Sequence, residues 1–225
     1  TDSPTETLFK QDVEKSLEDM LGQIFNIVFL GLTSASAEIR SISYNLLAVT
    51  QEKFDLKLGR QLAPSPDVYF PRDNNSFVVS ISEKLAESYP KVTADVIGGF
   101  FEVYREQVTP RQRFNAIVYV APWIPNIYDY VFKFDDENGA DYVSEIIRNF
   151  LSVSAIDPVF LTAFNSQIWS KLCLEDRISS ILVNEIVLTA IDREAEGSDW
   201  KSIIALLTST PTVELCGHVI KRLRD

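Results

Sequence analysis

Apolar residues recur along this chain at steps of three and four. Val143, Ile146, Ile147, Phe150 and Leu151 form one stripe, and Ile178, Ile181, Leu182, Ile186 and Ala190 form another. Ile39, Ile42, Leu46 and Val49 make a third. At 3.6 residues per turn, such spacing lays apolar side chains along one side of a helix, and that side is expected to be buried against a neighbour. No period-two run persists. Phe77-Val78-Val79-Ser80-Ile81 looks strand-like alone, but its apolar residues continue to Leu85 at helical spacing. The pattern predicts an all-α fold.

Caps and prolines divide the pattern into elements. Helices are expected at roughly 7–32, 36–52, 75–88, 93–107 and 110–121, with a short one near 125–133. Others follow at roughly 138–153, 157–172, 176–195, 198–209 and 211–223. Ser36, Thr93, Asp157 and Ser198 are candidate N-caps, whose oxygens would accept from orphan backbone N–H groups. Pro110, Pro158 and Pro211 sit where a first-turn proline is tolerated, and Pro90 marks a turn between helices. Paired helices start near 75, 110, 157 and 198, roughly 36 to 47 residues apart, which is the period of HEAT and armadillo repeats. No residue motif repeats at that period, so the inference rests on helix spacing. The expected architecture is a HEAT/armadillo-like α-solenoid segment of antiparallel helix pairs, a single unit over residues 1–225, each pair burying its apolar side on the next.

One stretch breaks the period. Residues 53–74 hold Pro64, Pro66 and Pro71 with Tyr69 and Phe70 and show no helical pattern. An irregular loop of about 20 residues inside a compact array is usually functional or disordered, and its apolar content here predicts that it is packed down. Tyr69, Phe70 and Arg72 are the candidate partner contacts, because aromatic and Arg side chains dominate interface energetics. The competing reading is that the two aromatics only pin the loop to its own helices.

Composition narrows the function. Only 8 of 225 residues are Gly, in keeping with long helices and short links. A formal net charge of −11 repels phosphate backbones and anionic headgroups, which argues against a nucleic-acid reader. Arg105, Arg111 and Arg113 form one small basic group and Lys221, Arg222 and Arg224 another; the first reads as a solvated face or an acidic partner's contact, the second as a helix C-terminus. Cys173 and Cys216 lie in apolar helical patterns without CxxC spacing and read as buried thiols of a reducing, cytoplasmic setting. The start lacks a basic region followed by an apolar run, and Ile24 to Leu32 is too short to span a bilayer. A start without Met and an end within a helical pattern lead us to expect a segment of a longer protein.

A search for chemistry returns no constellation. His218 is the sole histidine, so Ser-His-Asp or Cys-His catalysis has one candidate base, placed on an amphipathic helix. No matched set of metal ligands is present. Asp135-Asp136-Glu137-Asn138-Gly139 lacks the alternating oxygen spacing of a calcium loop and reads as a solvated turn before a helix. Gly98-Gly99, with no preceding strand or phosphate-loop motif, reads as a close helix–helix contact. Trp123, Tyr128, Tyr130, Phe132 and Phe134 read as core. The expectation is a chain without catalytic residues, cofactor or metal.

Several blocks resemble the helical-repeat region of neurofibromin-type Ras GTPase-activating proteins. The first contains Glu38-Ile39-Arg40, Tyr44-Asn45-Leu46-Leu47, Phe54-Asp55-Leu56-Lys57, Gln61-Leu62, Pro71, Asn74-Asn75 and Phe77 to Ser82 leading into Leu85-Ala86. Ala121-Pro122-Trp123-Ile124 with Asn126 is the second, Gln167-Ile168-Trp169 the third and Val219-Ile220-Lys221-Arg222 the fourth. The acidic, Tyr-rich middle looks fungal. The resemblance implies a place in the array after the GAP-related and lipid-binding modules. It also implies a non-catalytic scaffold role in a negative regulator of Ras signalling that is cytoplasmic or peripheral at membranes without direct insertion. In that family an arginine finger in the separate GAP domain accelerates GTP hydrolysis; no FLR-type motif occurs here, and Arg105 in Phe101-Glu102-Val103-Tyr104-Arg105 does not fit one. The implied partners are other modules of the same chain, a second copy in a homodimer, and Ras through the GAP domain alone. The alternatives are a generic HEAT-type adaptor for another complex, using the 53–74 loop, and an α-helical enzyme whose site the residues do not display.

Overall fold

The computed structural model describes residues 20–59, 61–65, 69–106, 109–133, 138–156, 158–172 and 176–194. Those residues are helical apart from links and one long loop, and they include no strand. Helix α1 covers residues 20–32. It is followed by α2 (Ala37–Phe54), α3 (Asn75–Ser88) and α4 (Thr93–Glu106), the last two joined by a single 3-10 turn, Pro90–Val92. Helix α5 (Pro110–Val120) runs into a 3-10 segment, Ala121–Asn126, and a π-helical turn, Tyr128–Phe132. Helix α6 is Gly139–Ile156. Helix α7 comprises Leu161–Phe164, a π-helical turn Asn165–Trp169 and Ser170–Leu172, and α8 is Asp176–Glu194. The expected helices at 7–32 and 176–195 are thus seen only in part, and those at 198–209 and 211–223 lie outside the described residues, as do Cys173, Cys216, His218, Asp157, Ser198 and Pro211.

Local chemistry explains most boundaries. Ser36 caps α2 by accepting from the Ile39 N–H, and Thr109 caps α5 from Gln112 with Pro110 in the first turn. Thr93, expected as a cap, instead has helical φ and ψ (−55°, −44°) and opens α4, because the Pro90–Val92 turn already provides its entry. The short helix expected near 125–133 is replaced by 3-10 and π turns. Pro122 and Pro125 lack the N–H groups that a regular α-helical ladder would need there.

Alternate helices pack on one another. α5 touches α3 and α7, α6 touches α4 and α8, and α4–α5 and α6–α7 contacts join the two sets. The stripe Val143, Ile147, Phe150 and Leu151 is fully buried, as are Ile178 and Leu182. Burial of this kind stabilises by about 25 cal/mol per Å² of apolar surface removed from water. Helix α1 sits against several elements at once. Gly22 and Gly99 allow α1 and α4 to approach, since a Cβ on Gly99 would stand 2.3 Å from Asn26 Nδ2. Gly98, its neighbour, faces open space, so the close contact expected of the pair belongs to Gly99 alone.

Gly31 is the corresponding contact between α1 and α2. A Cβ there would stand 2.8 Å from Ser43 Cβ, an atom that no rotamer change can move. Gly31→Ala is therefore expected to destabilise by about 2 kcal/mol despite its better helix propensity. Ser43→Gly in the same chain should return part of that loss, and simple additivity of the two in urea melts would sink this account.

Tyr119 of α5 is fully buried and stacks on Phe29 of α1 with centroids 5.0 Å apart. Its hydroxyl has no hydrogen-bond partner among the described residues, and burial pushes its pKa well above the ordinary value of 10. The folded state keeps the phenol neutral while the unfolded chain ionises it. Its contribution is thus complete below pH 10 and declines as pH rises beyond it. Tyr119→Phe should raise stability by about 1 kcal/mol at neutral pH and lessen the loss above pH 10. Melts of both proteins at the two pH values check this.

Candidate interaction surface

The loop at 55–74 begins where α2 ends. The helix extends to Phe54, slightly past its expected limit, and stops because Asp55 turns left-handed (φ 47°) and its N–H returns to the Gln51 carbonyl. From there the chain has few backbone partners of its own, and side chains of α2 supply them. Gln51 donates to the Leu56 carbonyl and accepts from the Leu62 N–H at 2.8 Å. Asn45 bonds Ser65 in both directions, each at 2.9 Å, as a neighbouring strand would. Arg40, only 3% exposed, donates from Nε to the Phe70 carbonyl and from Nη1 to the carbonyls of Ser34 and Ala35, all at 2.9 Å. Asn74 closes the loop by donating to the Leu32 carbonyl at the end of α1.

This latch inverts α2. Arg40, Ser43, Thr50 and Gln51 are buried, while Ile39, Ile42 and Val49 of the expected packing stripe are exposed and Leu46 is only partly covered. The expectation fails because unpaired loop carbonyls and N–H groups cost more to bury than isoleucines cost to expose. Nothing in the apolar spacing announces this. The signal that was present is the row of polar residues long enough to reach a second backbone.

Apolar side chains complete the attachment. Leu56, Leu58, Leu62 and Phe70 are buried. Phe70 stacks on Tyr44 at 5.4 Å and meets Phe77 edge-on at 4.9 Å. Of the three candidate contacts, Phe70 therefore points inward and fixes the loop. Tyr69, beside it, is 75% exposed, and Arg72 is exposed. Arg111 at the start of α5 is also exposed and donates from Nη2 to the Arg72 carbonyl at 3.1 Å, which brings α5 to the loop. The basic group expected at 105–113 is divided: Arg105 bonds Asn149 and lies over Phe101, and Arg113 lies over Tyr104.

A second constellation lies behind the loop. Ser82 of α3 donates to the Tyr119 carbonyl at 2.5 Å and accepts from Trp123 Nε1 at 3.0 Å. Trp123 is fully buried with Phe25 of α1 6.2 Å away. Asn126 donates to the Ala86 carbonyl, and Lys171 of α7 donates to the Ala121 carbonyl, where burial lowers its pKa. The 121–126 segment thus touches α3, α4, α5 and the end of α7. Of the other aromatics, Tyr128 and Phe132 stack on one another and Tyr130 is exposed; Phe134 is outside the described residues.

Among the described residues no group of three or more His, Cys, Asp and Glu could hold a metal ion, and no helix is long and apolar enough to cross a membrane. Asp135, Asp136 and Glu137 are outside the described residues. No protein-family model matches the chain. Two proteins of Saccharomyces cerevisiae resemble it over most of its length. Inhibitory regulator protein IRA1 is 33% identical over 210 residues, 93% of this chain, and Inhibitory regulator protein IRA2 is 32% identical over the same extent. The chain spans 7% of the length of each. The chain is thus a homologue of one region of these two yeast inhibitory regulators.

Proposed function

We propose that this chain is a non-catalytic scaffold and interaction segment of a neurofibromin-like negative regulator of Ras signalling, built as a HEAT-like solenoid. The observation that carries the reading is the 93% coverage of the chain by two inhibitory regulators. The contacts between alternate helices support the solenoid. In this reading GTP hydrolysis is stimulated by a separate GAP domain of the longer protein, and the present segment holds that domain and its neighbours in position. The setting is cytoplasmic, and contacts are to other modules of the same protein or to a second copy. Purified chain added to Ras–GTP should leave the hydrolysis rate unchanged; stimulation would overturn the non-catalytic assignment. Light scattering over a concentration series reports on self-association.

A second reading, a HEAT-type adaptor that engages a different complex through the loop, is favoured by one observation. Tyr69 stands 75% exposed beside Phe70, whose ring is buried and whose carbonyl is held by Arg40. An exposed aromatic on a fixed backbone loses little freedom on binding. Tyr69→Ala should abolish capture of such a partner without lowering thermal stability. Both readings share that surface.

A further inference from the structure

We infer that Tyr69, Arg72 and Arg111 form a docking site for an acidic protein segment. The inference rests on the interaction reading above and names the partner's chemistry. Arg72 and Arg111 come from elements 39 residues apart and are joined by the Nη2-to-carbonyl bond. That bond uses one donor of Arg111 and none from the Arg72 side chain. Neither guanidinium forms an ion pair with a carboxylate of the described residues, in a chain whose net charge is −11. Two exposed guanidinia without a counter-ion among the described residues, in a strongly acidic protein, have a carboxylate-rich strand or helix as their natural complement. Their planar forks take carboxylates bidentately.

The setting adds to the two charges. Arg111 lies in the first turn of α5, whose 11 residues direct the positive end of the helix dipole toward the same place. Tyr69, three residues before Arg72, adds an exposed amphipathic ring on the same loop, and aromatic and Arg residues are enriched at the energetic centres of interfaces. The backbone between Tyr69 and Arg72 is fixed by the buried Phe70 ring and the Arg40 bond, so the three side chains start from a set geometry. A narrow acidic segment fits better than a membrane. Two cations attract a bilayer by only about 1 kcal/mol each, and the rest of an acidic surface would be repelled.

The test pans a random peptide library against the whole chain, with the Arg72→Glu/Arg111→Glu double variant as counter-selection. Peptides that distinguish the two should be enriched in Asp and Glu and should bind the double variant about tenfold more weakly. Their binding should also weaken with salt. Tyr69→Ala should lower affinity several-fold, while Lys53→Glu, an exposed charge change on α2, should not. Thermal melts of each variant confirm that the fold is kept. The inference is overturned if no discriminating peptide emerges, if those that emerge are not acidic, or if phosphatidylserine vesicles bind through the pair and acidic peptides do not. Acidic peptides lost on Tyr69→Ala but retained by the double variant would spare the loop as a contact and remove the arginines' role.

Discussion

Trp123→Ala is expected to destabilise the chain by about 4 kcal/mol. The indole is fully buried and reaches Phe25 of α1, while its N–H is held by Ser82 of α3. Truncation removes apolar burial and leaves a cavity where four elements meet, and the surrounding helices are fixed by other contacts and relax only partly. Ser82 keeps its bond to the Tyr119 carbonyl, so the loss is mainly one of packing. Trp123→Phe should consequently cost about 1–2 kcal/mol, retaining most of the volume and losing the N–H. Urea denaturation followed by circular dichroism measures both. A loss below about 1.5 kcal/mol for the alanine would mean that the 121–126 segment does not hold the helices together.

Arg40→Ala follows, with an expected loss of about 3 kcal/mol and release of the loop. Three carbonyls lose their donor, that of Phe70 in a buried setting and those of Ser34 and Ala35 nearer the surface. Arg40→Lys should recover less than half. A single ammonium cannot reproduce a fork that serves two carbonyls from one nitrogen and a third from another. Limited proteolysis supplies a local readout: cleavage within 55–74 should appear in the alanine variant before the helices are attacked. Equal protection of that loop in variant and wild type would show that the apolar residues hold it unaided.

Helix positions were legible because caps, prolines and the 3.6-residue period act locally. Residues 75–88 are helical as the pattern predicts, and the stripes of α6 and α8 face inward where described. The orientation of α2 was not legible. Its apolar stripe suggests one buried side, and the structure buries the other, since Arg40, Asn45 and Gln51 satisfy a loop up to 30 residues away. Periodicity measures what a helix would prefer alone and carries no information about a distant backbone that needs partners. The blocks that carried the family resemblance did contain that information. Arg40, Asn45, Leu62, Asn74 and Ser82 form the latch and its surroundings, and Trp123 and Asn126 form the segment behind it. At the candidate surface, Tyr69 and Arg72 were visible as residue types. Phe70's inward turn and the arrival of Arg111 required the fold.

The position of α1 sets a schedule for biosynthesis. Phe25 and Phe29 leave the ribosome well before Trp123 and Tyr119, which follow roughly a hundred residues later, with Tyr89, the other ring beside Phe25, arriving in between. At ordinary translation speeds that is a wait of about 5–20 s with the apolar side of α1 only partly covered. A nascent chain halted before Val120 should be bound by chaperones, and one extended far enough to free the 121–126 segment from the exit tunnel should let them go.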